Sequence, residues 1–409
     1  MPKQTRYLNA LLFCLCCQLA GHAAAEPAAT APAPAAVQSQ AALRAALASG
    51  TPTPLDALTP YGKREAIRQM RWNENGLSGF GTAPLIRDLG HEQLAAVLHF
   101  IGAGDYLPTL DKKLIGPPLR LPAPSGQVEQ NLQLLRQFAE TDAKRRAAAS
   151  ATTTEIGAPA VLRRYRQLFE KRLSAAGLRA APLGDLVPLF DAASLAANDN
   201  PASPALEDML RVHQELTARG IDTRRTLDYS VLYALLAARR FNDARAFAAM
   251  RPGLADVAIP QVVDPLGPGF KGRSAFAYDA ARNTLTRVAL PTRTGTELVM
   301  VVGAGCHYST NALQAIHDDP ALQARLREAH LVLVTAPNAP VETDLIGEWN
   351  AANPSIPIHA PYSAGEWRGI DVTGVPAFYL LRNGKVIGQR AGWPHEGKAR
   401  LLQLIDANK

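Results

Sequence analysis

The sequence predicts an α-helical N-terminal domain followed by a C-terminal α/β sandwich, and three observations carry that expectation. From about residue 55 to 250 apolar residues recur at steps of three and four. From about 257 they change to alternating and continuous runs separated by helical stretches. Pro260, Pro265, Gly267, Pro268 and Gly269 mark the change. The chain has 409 residues, room for two to three domains at roughly 150 residues each. With 47% hydrophobic and 19% charged residues it has too many apolar side chains for wholesale disorder.

Lys3 and Arg6 precede an apolar stretch, Leu8 to Ala20, and Ala23-Ala24-Ala25 supplies a small-x-small site before Glu26. That is the layout of a secretory signal peptide over residues 1–25. The run is shorter than the about 20 apolar residues a bilayer-spanning helix needs. Phe13, Leu15 and Cys16, which precede the three leader cysteines, are not the small residues lipoprotein processing requires. The protein is therefore expected to be exported, to the periplasm if the source is a Gram-negative bacterium. No later stretch is apolar enough to span a membrane, so a soluble mature protein is expected. Cys14, Cys16 and Cys17 leave with the leader, and Cys306 becomes the sole thiol. A lone cysteine in an oxidising compartment cannot close an internal disulfide.

Residues 26–54, rich in Ala, Pro and Gln, read as a linker that buries no core. The helical domain is expected over 55–256. Val128, Leu132, Leu135 and Phe138 make one amphipathic stripe, Leu162, Tyr165, Leu168, Phe169 and Leu173 a second, and Leu206, Met209, Leu210, His213 and Leu216 a third. Residues 228–250 read as a helical hairpin turning at Arg239-Arg240, with Tyr233, Phe241 and Phe247 packing inside it. It resembles a single tetratricopeptide-type hairpin, but no 34-residue period repeats, so an ordinary hairpin is expected. Residues 257–284 form a connection and the start of a strand hairpin, and 285–409 the α/β domain. Within it Leu298 to Val302 and Leu331 to Thr335 read as buried strands, with helices over 309–317 and 321–328. Asn383-Gly384 between two apolar runs is the signal of a tight two-residue hairpin. Lys398 to Ala407 closes the chain as a helix.

A formal charge of +7 is mildly basic. Arg145-Arg146, Arg163-Arg164, Arg224-Arg225 and Arg239-Arg240 are scattered and aromatics are only 6%, which argues against nucleic-acid binding. No Ser-His-Asp elbow, paired-carboxylate signature or Gly-rich phosphate loop stands out. His317, His330, His359 and His395 have no metal-ligand spacing with Cys306. Trp72, Trp349 and Trp367 read as core or rim, and Gly79-Phe80-Gly81, with no strand before it, as a turn.

The segment ELVMVVGAG-CHYS-TNALQAI, followed by TGVPAFYLLRNGKVIGQRAGW, resembles the thioredoxin superfamily over about the last 120 residues. A Cys-x-x-x tetrad lies between a buried strand and a helix, a Val-Pro dipeptide opens the next strand, and a hairpin leads to Gly-Trp. The resemblance implies a thioredoxin-like sandwich, with Cys306 as nucleophile, a cis Pro376 facing it, and Val375 offering backbone groups to an extended client. A cysteine at a helix start lies near unsatisfied N–H groups and the positive end of the helix dipole, which favours thiolate. A cationic His307 would add to this.

Three positions depart from the family pattern. Ser309 replaces the second cysteine, so a mixed disulfide has no internal resolving thiol. Met300 stands where thioredoxins place a buried carboxylate, and Gly305 where a Trp usually precedes the Cys. Cys306-His307-Tyr308-Ser309 looks nearest to a disulfide-isomerase Cys-Gly-Tyr-Cys with its last residue changed. A cluster-sharing monothiol glutaredoxin is disfavoured, because iron–sulfur clusters need several thiolates and this chain supplies one. The expected catalytic positions are Cys306, His307 and Ser309, the last as a helix cap, and the client-binding positions Tyr308, Val375 and Pro376. No cofactor or metal is implied. The expected partners are exported proteins carrying disulfides or thiols, and an external reducing thiol. A redox-degenerate binding or scaffold module, whose helical domain recruits a partner, is the competing reading.

Overall fold

In the computed structural model residues 36–148, 159–367, 369–370 and 374–407 are described. The leader and the first part of the linker lie outside them. The linker's later part is a correction. Ser39 caps helix α1 (Gln40–Ala48), accepting from the Ala42 N–H at 3.1 Å. Val37 and Leu43 are buried. The alanines that make this stretch look like a tether are also the best helix formers, and one leucine per turn is enough to dock the helix.

Leu43 joins a first core with α2 (Pro60–Gln69), α3 (Ala83–Asp88), α4 (His91–Phe100) and α5 (Leu107–Asp111), centred on Leu55, Leu85, Leu94 and Leu98. Between α2 and α3 lies a small hairpin, β1 (Arg71–Asn73) and β2 (Gly76–Gly79). A strand therefore does precede Phe80-Gly81; at three and four residues the two strands are too short to show a period.

The second core is built by α6 (Gly126–Ala148), α7 (Pro159–Leu173), α8 (Ala175–Ala180), α9 (Leu183–Asp199), α10 (Ala205–Ala218), α11 (Leu227–Ala237) and α12 (Phe241–Ala249). The expected stripes supply it: Val128, Leu132 and Leu135 from α6, Tyr165 and Phe169 from α7, Met209 and Leu216 from α10. Tyr61 of α2 ties it to the first core by donating to Asp191 of α9 at 2.5 Å. The α11–α12 hairpin does not enclose Tyr233, Phe241 and Phe247 together. Phe247 packs on His213 at 5.4 Å, Phe241 meets Phe276 of the sheet edge-on at 5.8 Å, and Tyr233 is 45% exposed. The aromatics are spread because the hairpin serves two cores.

The sheet has eight strands: β3 (Gln261–Val263), β4 (Ser274–Asp279), β5 (Thr284–Ala289), β6 (Thr296–Val302), β7 (Val332–Thr335), β8 (Ile358–Pro361), β9 (Ala377–Arg382) and β10 (Lys385–Ala391), in spatial order β10-β9-β6-β7-β8-β4-β5-β3. It is mixed: the β6–β7, β7–β8 and β3–β5 pairs are parallel, and the β9–β10, β6–β9, β4–β5 and β4–β8 pairs antiparallel. The boundary expected between residues 284 and 285 falls inside β5 and would sever it from β4. These strands pair over six residues, and β4 also pairs with β8, so the connection at 257–284 belongs to the sheet.

β6 reads as a continuous apolar run because both faces are covered. Leu298, Met300 and Val302 face helices α13 (His307–Asp318), α14 (Pro320–Glu328), α15 (Thr343–Ala352) and α16 (Gly397–Asp406). Val299 and Val301 face Trp367, Ile370 and Val386. The β6–β7 and β7–β8 crossovers step in one direction along the sheet, so connections of one hand place their helices on one face. The return from β8 to β9 passes over the other face, where Trp367 donates to the Ser274 carbonyl at 2.9 Å. Under it, Arg273 and Glu297 form a buried bidentate pair at 2.6 and 2.7 Å. At Asn383-Gly384 both φ angles are positive, 51° and 77°, as a primed two-residue turn requires.

Candidate functional site

β6 ends at Val302, and Gly303, Ala304 and Gly305 carry the chain to Cys306, which occupies the N-cap position of α13 with φ −92° and ψ 109°. Gly305 has φ +68°, a left-handed conformation open to glycine and strained for Trp. The departure at this position thus has a backbone cause. Gly303 is needed for clearance: a β-carbon there would come within 3.0 Å of Val375 Cγ2.

Cys306 is half-buried and unpaired. Its S–H donates to the Val375 carbonyl oxygen, with Sγ 3.1 Å away. The Val375–Pro376 peptide bond is cis. Pro376 is buried, and its carbonyl accepts from Gly392 N–H at 2.8 Å, tying the strand entrance to the end of β10. The Thr310 N–H closes the first helical bond onto the Cys306 carbonyl at 3.0 Å, so the N–H groups of His307, Tyr308 and Ser309 belong to the turn that has no intrahelical acceptors. The thiol therefore sits at the mouth of a helix, against a backbone carbonyl.

His307 and Tyr308 are exposed. The His307 ring lies 3.1 Å through Nε2 from the Asn311 side-chain amide and 5.9 Å from the Tyr308 ring. Tyr308 is 54% exposed beside the thiol's helix. Ser309 is the third residue of α13 and is buried; its hydroxyl accepts from Gly303 N–H at 3.3 Å. It does not cap the helix, because α13 starts two residues earlier than the apolar spacing suggests. Its bond is to the loop that carries Cys306. Met300 lies in the core between sheet and helices.

One residue at the site was not foreseen. Glu342, immediately before α15, accepts the Ala304 N–H on Oε2 at 2.7 Å. Burial pushes its carboxyl above the ordinary carboxylate range, opposed only in part by that N–H. Tyr233 of α11 stands near it, its phenol pushed up by burial and by the negative charge of Glu342. The helical region thereby reaches the thiol loop.

Among the described residues no group of three His, Cys, Asp or Glu side chains could hold a metal ion, and no helix is long and apolar enough to cross a membrane. Trp367 and Trp349 are buried, with indole N–H groups donating to the Ser274 and Ile356 carbonyls.

No family model matches the chain, and no curated protein matches it. Solved structures similar to it include a thioredoxin-like protein in its oxidised form, studied in solution, which is 15% identical. That likeness covers 35% of this chain and 95% of that one, with a TM-score of 0.25. A thioredoxin-like protein from Bacteroides caccae is 14% identical, over 72% of this chain and 100% of that one, with a TM-score of 0.24. Both likenesses are weak. The chain's own geometry defines it as a mixed helix-and-sheet protein with a helical N-terminal region, a mixed sheet and a thiol at a strand-to-helix junction.

Proposed function

We propose that this is an exported thioredoxin-like protein that exchanges disulfides with other exported proteins through Cys306. The observation that carries the reading is the placement of the Cys306 sulfur at the start of α13, 3.1 Å from the Val375 carbonyl and beside the cis Val375–Pro376 bond. A helix start favours thiolate, and the Val375 backbone is in position to pair with an extended client strand lying across the sulfur. Tyr308 and His307 stand exposed at the rim.

In the step proposed, the Cys306 S–H proton passes to solvent and the sulfur bonds to one client sulfur. The client S–S bond breaks, and the departing client thiolate takes a proton from solvent. With Ser309 at the resolving position, release needs an external thiol. Mixed disulfides should therefore persist, and Ser309→Cys, one helical turn beyond Cys306, should shorten their life. Non-reducing electrophoresis of acid-quenched exported extracts from wild type, Cys306→Ala and Ser309→Cys strains tests this. Adducts that Cys306→Ala removes and Ser309→Cys depletes are the expected result.

The second reading, a redox-silent binding module, is favoured by the same Ser309, whose buried hydroxyl secures Gly303. An absence of Cys306-dependent adducts would select it.

A further inference from the structure

Glu342 is the group at the site that the exchange reading leaves unused. Its Oε2 takes the Ala304 N–H at 2.7 Å, and its Oε1 lies 3.8 Å from where a β-carbon on Gly303 would stand. It thus rests against the loop that delivers Cys306 to the helix. The groups shown to face it are the phenol of Tyr233, on which Tyr229 stacks at 6.0 Å, and the Gly303–Ala304 backbone, two residues before Cys306; the Cys306 thiol itself points to the Val375 carbonyl and His307 to Asn311. Among the described residues no lysine, arginine or histidine forms an ion pair with it. Anchoring one N–H needs only an acceptor, which a glutamine amide also supplies. A carboxyl here is costly to ionise and, once ionised, sets an unpaired charge against the loop.

We propose that Glu342 is a positioning residue for Cys306, acting through the Gly303–Cys306 loop so that its charge state sets how readily the thiol reacts. The proposal deepens the exchange reading by naming its regulation by pH. An ionised carboxylate beside the loop opposes the build-up of a second negative charge on the nearby sulfur, and a protonated one does not. Because burial raises the Glu342 carboxyl, the change falls above the usual carboxylate range.

The test is the rate of Cys306 alkylation by iodoacetamide from about pH 5 to 9, in the full exported chain, for wild type, Glu342→Gln, Glu342→Asp and Glu342→Ala. Glu342→Gln keeps the acceptor and removes the charge. It is expected to react several-fold faster at neutral pH and to lose the lower inflection of the wild-type profile, which Glu342→Asp should retain. A Glu342→Gln profile that superimposes on wild type would reduce Glu342 to a loop anchor and overturn the proposal. So would one slowed as much as Glu342→Ala. Should Glu342→Ala not fold, Glu342→Gln and Glu342→Asp still decide. Iodoacetamide needs no disulfide client, so the Glu342 pattern without mixed disulfides would refute the exchange reading alone.

Discussion

Asp228 and Glu342, one in the helical region and one beside the sheet, are carboxylates that the protein treats in opposite ways. Asp228, at the start of α11, is buried and lies 2.6 Å from His213 Nε2 and 3.3 Å from Arg251 Nε, and these hydrogen bonds and charges outweigh the cost of burial and hold its carboxyl below the ordinary range. Among the described residues Glu342 is offered one backbone N–H and no ion-pairing cation, and burial holds its carboxyl above that range. Around Asp228 the helical region closes its charges into a hydrogen-bonded network. The sheet region leaves a carboxyl and a thiol incompletely paired at one loop, the pattern of under-compensated groups that marks reactive sites.

The comparison is sharpest if Asp228 is removed. Asp228→Ala leaves Arg251 and His213 without their buried partner and is expected to cost about 3–5 kcal/mol, read from denaturant unfolding midpoints. Cys306 alkylation in the remaining folded protein should be unchanged. The same pair has a pH signature. A carboxyl whose folded value is depressed contributes fully above its unfolded value of about 3.9 and loses that contribution as pH falls through the folded one. Asp228→Asn should therefore flatten the acid limb of the stability profile below about pH 4. If Asp228→Ala altered thiol reactivity as much as stability, the division between scaffold and site would fail.

A smaller effect is expected at the seam between the regions. Arg239, in the turn between α11 and α12, donates to the carbonyls of Ala339 at 2.6 Å and Pro361 at 3.0 Å across to the sheet side. Arg239→Met should cost about 1.5–3 kcal/mol, the scale of hydrogen bonds from a charged group, with a single unfolding transition retained. Two separated transitions would show that the regions are coupled mainly through this one side chain.

Smallest is Asn383→Ala in the β9–β10 turn. Forcing alanine to φ near 51° costs about 1–2 kcal/mol, and the Gly295 N–H loses its Asn383 acceptor at 2.9 Å. Cys306 reactivity should not move, since the turn lies at the far end of β9 from Pro376.

What the sequence disclosed follows the strength of local signals. The apolar run of β6, the Asn383-Gly384 turn and the helical stripes over 128–216 were legible because period and turn chemistry agree over several residues. The segment holding α15 and β8 was not: Pro337, Pro340, Pro354 and Pro357 break it, and Ile346 and Trp349 are the two residues that α15 buries deeply. For that reason Glu342 stayed hidden. The β6 position six residues before the cysteine holds Met300, whereas the Glu342 carboxyl arrives from a helix start thirty-six residues beyond the cysteine. The one available signal was Glu342-Thr343-Asp344, acidic residues at the opening of a helix. The apolar spacing starts this helix at about 309 and so puts Ser309 at its cap, whereas α13 begins at His307. The helix α1 was hidden by composition, since alanine serves tethers and helices alike.

Its place at the start of α13 should make Cys306 a better nucleophile toward disulfides than the same residue in an unstructured chain. The direct measurement is the rate at which the chain prepared from Glu26 onward reacts with an aromatic disulfide reagent at about pH 5.5, where an ordinary thiol is almost wholly protonated. The control is the same protein unfolded in guanidinium. The native protein is expected to react at least several-fold faster, and Cys306→Ala to abolish the reaction. A native rate at or below the unfolded one would contradict this.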